Sequence, residues 1–251
     1  MANEQGRRVF LLNPPSVVEQ DLIEALLAAE YEVYLLKDPE RARSVFARYP
    51  DSIAFIGIDS RYDESEWQRY IRGLLSDKAT GDLRIGVLSY NNDRALAEKY
   101  LMEIGAQCGF VALKTGMQES TRIMLRALEA NEARGRRRYV RARCAEDRAT
   151  TFNVTLPTGS ATGRVLDISS VGMAARFSSY VDLPAKTVLR DIQLKLHATL
   201  VHVDGVILGR REDDAGVYIV IFQYRKGEQK PRHQIRRFIH AALQRQIDSI
   251  A

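Results

Sequence analysis

The chain has 251 residues, enough for about two domains with separate cores, and its 45% apolar and 27% charged content is ordinary for a globular protein. No apolar run approaches the ~20 residues that span a bilayer, and the start "MANEQGRRVF" lacks the apolar stretch of a secretory signal, so a cytoplasmic protein is expected. The net charge of +5 is mild but concentrated in "RGRRRYVRAR" (134–143) and "KPRHQIRRF" (230–238), which leaves room for an anionic partner.

In chain order, residues 7–130 alternate two hydrophobic periods. Short apolar runs bounded by turn residues, "RRVFLLN", "YEVYLLKD", "SIAFIGIDS", "RIGVLSYN" and "GFVALKTG", read as strands. Between them "VVEQDLIEALLAA", "PERARSVFARY", "ESEWQRYIRGLL", "RALAEKYLMEI" and "QESTRIMLRALEA" carry apolar residues at helical spacing. Strands that alternate with helices and are apolar nearly throughout predict a parallel sheet covered on both faces. The loops at the C-terminal ends of its strands are then the places to look for chemistry.

After Arg143 the texture changes. "TFNVTL", "RVLDIS", "GMAARF", "TVLRDIQLKL", "ATLVHV", "VILGRR" and "VYIVIFQY" alternate on a period of two, with turn signals at "PTGS" (157–160) and "EDDAG" (212–216). Such spacing predicts an antiparallel barrel or sandwich. The last stretch places Ile235, Phe238, Ile239, Leu243 and Ile247 on one helical stripe, expected to pack on the barrel with its arginines facing water. The expected divisions are an α/β domain over 1–130, a linker over 131–143, and an all-β domain with a closing helix over 144–251.

Two motifs stand at the junction. "RRYVR" sets Arg137 and Arg141 four residues apart, and "DISSVG" supplies Asp167, Ser169 and Gly172 about thirty residues later. R-x-x-x-R followed by D-x-S-x-x-G, in a β-rich stretch of this size with a terminal helix, resembles the PilZ family of cyclic di-GMP receptors, over residues 134–247. The resemblance implies a cyclic di-GMP site at Arg137, Arg141, Asp167, Ser169 and Gly172, with Arg136 and Arg138 as further candidates, and no cofactor beyond that ligand. It also implies an output in motility, adhesion or exopolysaccharide control through a protein partner.

The residue chemistry suits such a ligand. Guanidinium groups fork onto phosphate oxygens and lie flat on purine rings. A carboxylate is a matched acceptor for the adjacent N–H donors of guanine, which makes Asp167 the candidate for base recognition. Ser169 can bond phosphate or base, and Gly172 would let the backbone approach a ring closely or take a positive φ. Arg134, Arg136 and Arg138 read mainly as solvated charges. Arg136 offers a further stacking plane, which would suit a pair of intercalated ligands.

The front domain is similar to a response-regulator receiver. Receivers hold Mg²⁺ with an acidic pair after the first strand and phosphorylate an Asp after the third, with a Ser or Thr after the fourth and a Lys after the fifth. Asp59, Ser89 and Lys114 match the last three positions, but "LLNPPS" puts Asn13 and Pro14 where the acidic pair should be. The expectation is a receiver-like domain that does not take phosphate, and a phosphorelay receiver with a β-domain output is disfavoured for that reason.

His197, His202, His233 and His240 show no metal-ligand spacing, and Cys108 and Cys144 lack a CxxC pattern and read as structural thiols. GxSxG, HExxH and P-loop patterns are missing, and the sequence makes no case for an enzyme. The rival reading is a nucleic-acid-binding protein that uses the same arginines and the basic terminal helix. Tyr139 alone would offer a stacking surface beside the run.

Overall fold

A computed structural model describes residues 6–135, 138–211, 213–214 and 216–250. It divides into two compact units, Met1–Arg138 with Gln244–Ala251, and Tyr139–Leu243. Each has its own core.

The first unit holds five parallel strands, β1 (Arg8–Leu12), β2 (Val33–Leu36), β3 (Ser52–Gly57), β4 (Arg84–Ser89) and β5 (Phe110–Ala112), in the order β2-β1-β3-β4-β5. The helices are α1 (Ser16–Ala28), α2 (Pro39–Arg48), α3 (Glu64–Ser76), α4 (Arg94–Glu98) and α5 (Met117–Ala130). Side chains alternate across the sheet with period two. Val9, Leu11, Ile53 and Phe55 face Leu22, Leu26, Met124 and Leu128 of α1 and α5. Phe10, between Val9 and Leu11, meets an aromatic cluster instead, with Tyr34 5.3 Å and Phe46 of α2 5.5 Å away between ring centroids. Covering both faces removes the strands from water and explains their unbroken apolar runs.

The stretch read as one helix over 94–104 is divided in the structure. After α4 the chain continues as a π-helical turn, Lys99–Ile104, ended by Gly105 at φ +87°. The N–H groups of Gly105 and Ala106 both donate to the Tyr100 carbonyl, at 3.1 and 3.0 Å. Tyr100 and Ile104 are buried there and Met102 is exposed. Also within this unit, Gln244 caps edge strand β2: Leu35 N donates to its Oε1 at 2.8 Å and its Nε2 donates to Leu35 O at 2.9 Å.

The second unit is all-β apart from a helix. Strand β6 (Arg141–Arg143) is followed by β7 (Thr150–Leu156), β8 (Gly159–Ser169), β9 (Gly172–Phe177), β10 (Val188–Leu196), β11 (Thr199–Arg210) and β12 (Val217–Gln223). The order β8-β7-β10-β11-β12-β9 closes through pairing of β9 with β8, giving a six-stranded antiparallel barrel with β6 added beside β8. The expected runs at 198–203 and 206–211 form one strand, β11, with a register shift between Ile207 and Gly209. Phe152, Val154, Val165, Ile192, Leu194, Val201, Ile207 and Val220 are all buried, filling a barrel of this strand number with side chains.

Helix α6 (Lys230–Asp248) buries Ile235, Phe238, Ile239, Leu243 and Ile247 as the stripe requires. Phe238 meets His197 edge to face at 5.4 Å. Its arginines do not all face water. Arg237 and Arg245 are exposed, whereas Arg232 and Arg236 are half-buried and Arg232 lies 4.5 Å over the Tyr224 ring.

Candidate functional site

The two motifs meet through backbone pairing. Strand β6 runs antiparallel to the end of β8, with Arg141 opposite Ser169, Ala142 opposite Ile168 and Arg143 opposite Asp167. Buried Ala142 and Ile168 anchor the short strand to the barrel, so its flanking arginines project outward. Arg141 Nη1 lies 3.5 Å from Asp167 Oδ1, an ion pair too long to count as a good hydrogen bond. Arg136 and Arg137 fall outside the described residues. Arg138 is exposed.

Asp167 owes its position to a β-bulge. Along β8, Ala161, Gly163 and Val165 are buried on alternate positions. Continued alternation would drive Asp167 into the apolar barrel. The register with β9 instead jumps from Val165–Ala175 to Asp167–Ala174, leaving Leu166 as the extra residue. Leu166 O accepts from Cys144 N at 2.7 Å, and Ile168 takes the inward position. Asp167 emerges on the outer face with its side chain 18% exposed.

Ser169 is buried and serves its own turn. Its Oγ donates to Gly172 O at 3.2 Å and accepts from Val171 N at 3.4 Å. Tyr224 Oη donates to Ser170 O at 2.6 Å, and Phe222 N donates to Val171 O at 2.8 Å, so the end of β12 also holds the β8–β9 turn. At Gly172 the alternative of a positive φ does not hold. Its φ is not in the left-handed region, and a Cβ there would sit 2.4 Å from Val220 O. Gly172 is needed for close approach of β9 to β12.

A residue that the motifs do not contain completes the cluster. Arg211, just past β11, donates from Nη2 to Asp167 Oδ2 at 2.8 Å. Its own N–H donates to Val217 O at 2.8 Å, which fixes its backbone at the hairpin, and its Nε lies 3.9 Å from Asp213 Oδ1. Nothing in the sequence around "GRREDDAG" marks it, because the contact depends on closure of the barrel. Two guanidiniums therefore flank one carboxylate beside a tight polar turn, an arrangement able to meet both phosphate and a base edge.

In the first unit, the strand ends carry the receiver-like residues. Ser89 Oγ donates to Asp59 Oδ1 at 2.5 Å and Tyr90 N donates to Asp59 Oδ2 at 2.7 Å, so both carboxylate oxygens are engaged. Lys114 is exposed in a 3₁₀ turn, Leu113–Thr115. Asn13, at φ +48°, donates from Nδ2 to Gly57 O at 3.1 Å and to Ser60 O at 3.2 Å. Gly57 makes room for this, since a Cβ there would lie 2.1 Å from Asn13 O. A hard divalent cation needs anionic oxygens. Here a neutral amide turns N–H donors toward the carbonyls, and Mg²⁺ does not fit the residues present. Among the described residues, no group of three or more His, Cys, Asp or Glu is placed to hold a metal ion, and no helix is long and apolar enough to cross a membrane.

No protein-family model matches the chain, nor does any curated protein. Among solved structures it is similar to the PilZ domain of YcgR from Escherichia coli with c-di-GMP, at TM-score 0.35 and 18% identity over 44% of this chain and 93% of that one. It is also similar to YcgR from Escherichia coli in complex with c-di-GMP, at TM-score 0.35 and 20% identity over 46% of this chain, and it spans about half (49%) of that protein. Response regulator RPA3017 in red light signaling of R. palustris matches at TM-score 0.41 and 14% identity, over 49% of this chain and 92% of that one. All three likenesses are at 20% identity or less.

Proposed function

We propose that the chain is a non-catalytic receptor for cyclic di-GMP that passes ligand binding on to a protein partner. The observation that supports it most is the β6–β8 register, which sets Arg141 opposite Ser169 and 3.5 Å from Asp167. In this reading Arg141, with Arg137 from the same segment, closes on the phosphates and purine faces. Asp167 accepts from the guanine edge, and Ser169 and Gly172 shape the turn beneath it. Arg136 and Arg138 add attraction. Residues 131–143 act as the linker between domains 1–130 and 144–251, so a ligand held by its arginines changes what the two domains present to a partner. The output lies in motility, adhesion or exopolysaccharide control.

The partner reads the receiver-like domain or the barrel, and the front domain is not a phosphoryl acceptor, because Asn13 stands where a metal-binding carboxylate would be needed. Titration with cyclic di-GMP and with single-stranded DNA at low and high salt tests the reading. Saturable dinucleotide binding that survives added salt is expected. DNA binding that falls steeply with salt, with no response to the dinucleotide, would assign the arginines to nucleic acid instead.

A further inference from the structure

We infer that Arg211 is a positioning residue of the same site, the permanent counter-charge of Asp167 that releases Arg141 for the ligand. This rests on the cyclic di-GMP reading and adds to it a residue outside both motifs. Asp167 is shared unequally between its two arginines. Arg211 makes the hydrogen bond, at 2.8 Å, from a backbone pinned to Val217 at the mouth of the β11–β12 hairpin. Arg141 stands at 3.5 Å and is the more exposed of the two, at 51% against 37%.

The consequence is electrostatic. A carboxylate with only 18% of its side chain exposed is costly to leave unpaired. If Arg141 were its sole partner, swinging that guanidinium to a phosphate would strip Asp167 of compensation, and the carboxylate would compete with the ligand for Arg141. With Arg211 in place the exchange leaves Asp167 oriented and still paired. Its remaining lone-pair positions stay open to the two N–H donors of a guanine edge. Arg211 itself is poorly suited to phosphate, since Asp167 and Asp213 already draw on its charge. It therefore acts through Asp167, on base recognition.

A double-mutant cycle on the full chain reads this out. Calorimetric titration of wild type, Arg211→Ala, Asp167→Ala and the double variant uses cyclic di-GMP and cyclic di-AMP as probes. Adenine lacks the paired donors of the guanine edge. Arg211→Ala is expected to weaken cyclic di-GMP binding about tenfold and to reduce the preference over cyclic di-AMP by a similar factor. On the Asp167→Ala background the same change is expected to have no further effect. Arg211→Lys, which keeps the charge but loses the fork, should fall between and guards against a folding defect in the alanine variant. Wild-type affinity and preference in a folded Arg211→Ala would overturn the role. So would equal losses for both ligands that persist without Asp167, which would make Arg211 a direct phosphate contact. A folded wild-type chain that ignores cyclic di-GMP would instead overturn the underlying reading, and this role with it.

Discussion

At Asp167 the single extra residue Leu166 decides whether a carboxylate is buried among Val165 and Ile168 or offered to solvent beside two arginines. The residue types of the proposed site could be read from the sequence, because Arg141, Asp167, Ser169 and Gly172 stand at fixed spacings in two short motifs. The bulge was not, since "RVLDIS" alternates plausibly in either register and only pairing with β9 fixes it. Arg211 was not legible either, lying 44 residues from its partner along the chain. Gly172 was legible as a position needing close approach or a positive φ, but that β12 is the neighbour it approaches was not. Gly172→Ala should destabilise the chain by about 1–3 kcal/mol through the clash with Val220 O, measured by urea unfolding. An unchanged midpoint would mean β9 and β12 can part at little cost. Burial pushes the Cys108 thiol up to about 11 against the opposing pull of Arg84 and Arg7. At about pH 8 only ~0.1% would be thiolate, so alkylation of Cys108 should be far slower in the folded chain than in the unfolded chain. Prompt labelling under native conditions would contradict this.

Among the elements, those with strong local signals match their sequence expectations most closely. Helix α3 starts at a capping box, with Glu66 N donating to Asp63 Oδ1 at 2.8 Å and Asp63 N donating to Glu66 Oε2 at 3.0 Å. The bond from Glu66 N, then the Ser65 hydroxyl, hold the Asp63 carboxyl below its usual range. A depressed folded-state value means that the cap contributes fully above the unfolded value near ~3.9 and fades as pH falls through the folded one. Hydrogen-exchange protection in the first turn of α3 should therefore decline in acid, and Asp63→Asn should remove that part of the decline. An identical acid response in the variant would assign it elsewhere. By contrast, the π-helical turn after α4 left no mark in "RALAEKYLMEI", whose apolar spacing fits an ordinary helix. Strand β6 is only three residues long and could not have been read from "RAR", yet its register brings the two motifs together.

For the whole molecule, the alternation of strands and helices followed by strands of period two was enough to read a parallel sheet and then an antiparallel barrel or sandwich. Closure of that barrel, β9 onto β8, is a long-range pairing that local pattern cannot reveal. In the first unit, incubation with acetyl phosphate and Mg²⁺ should leave the intact mass unchanged. A stoichiometric phosphoryl adduct that disappears in Asp59→Asn would show that the Asn13 amide does not prevent phosphorylation. The most direct measurement of the central claim is a calorimetric titration of the folded chain with cyclic di-GMP, repeated for Arg141→Ala and Asp167→Ala. Saturable micromolar binding is expected for wild type, with each substitution weakening it by about tenfold or more while the fold persists. No binding by wild type, or undiminished binding by both variants, would contradict it.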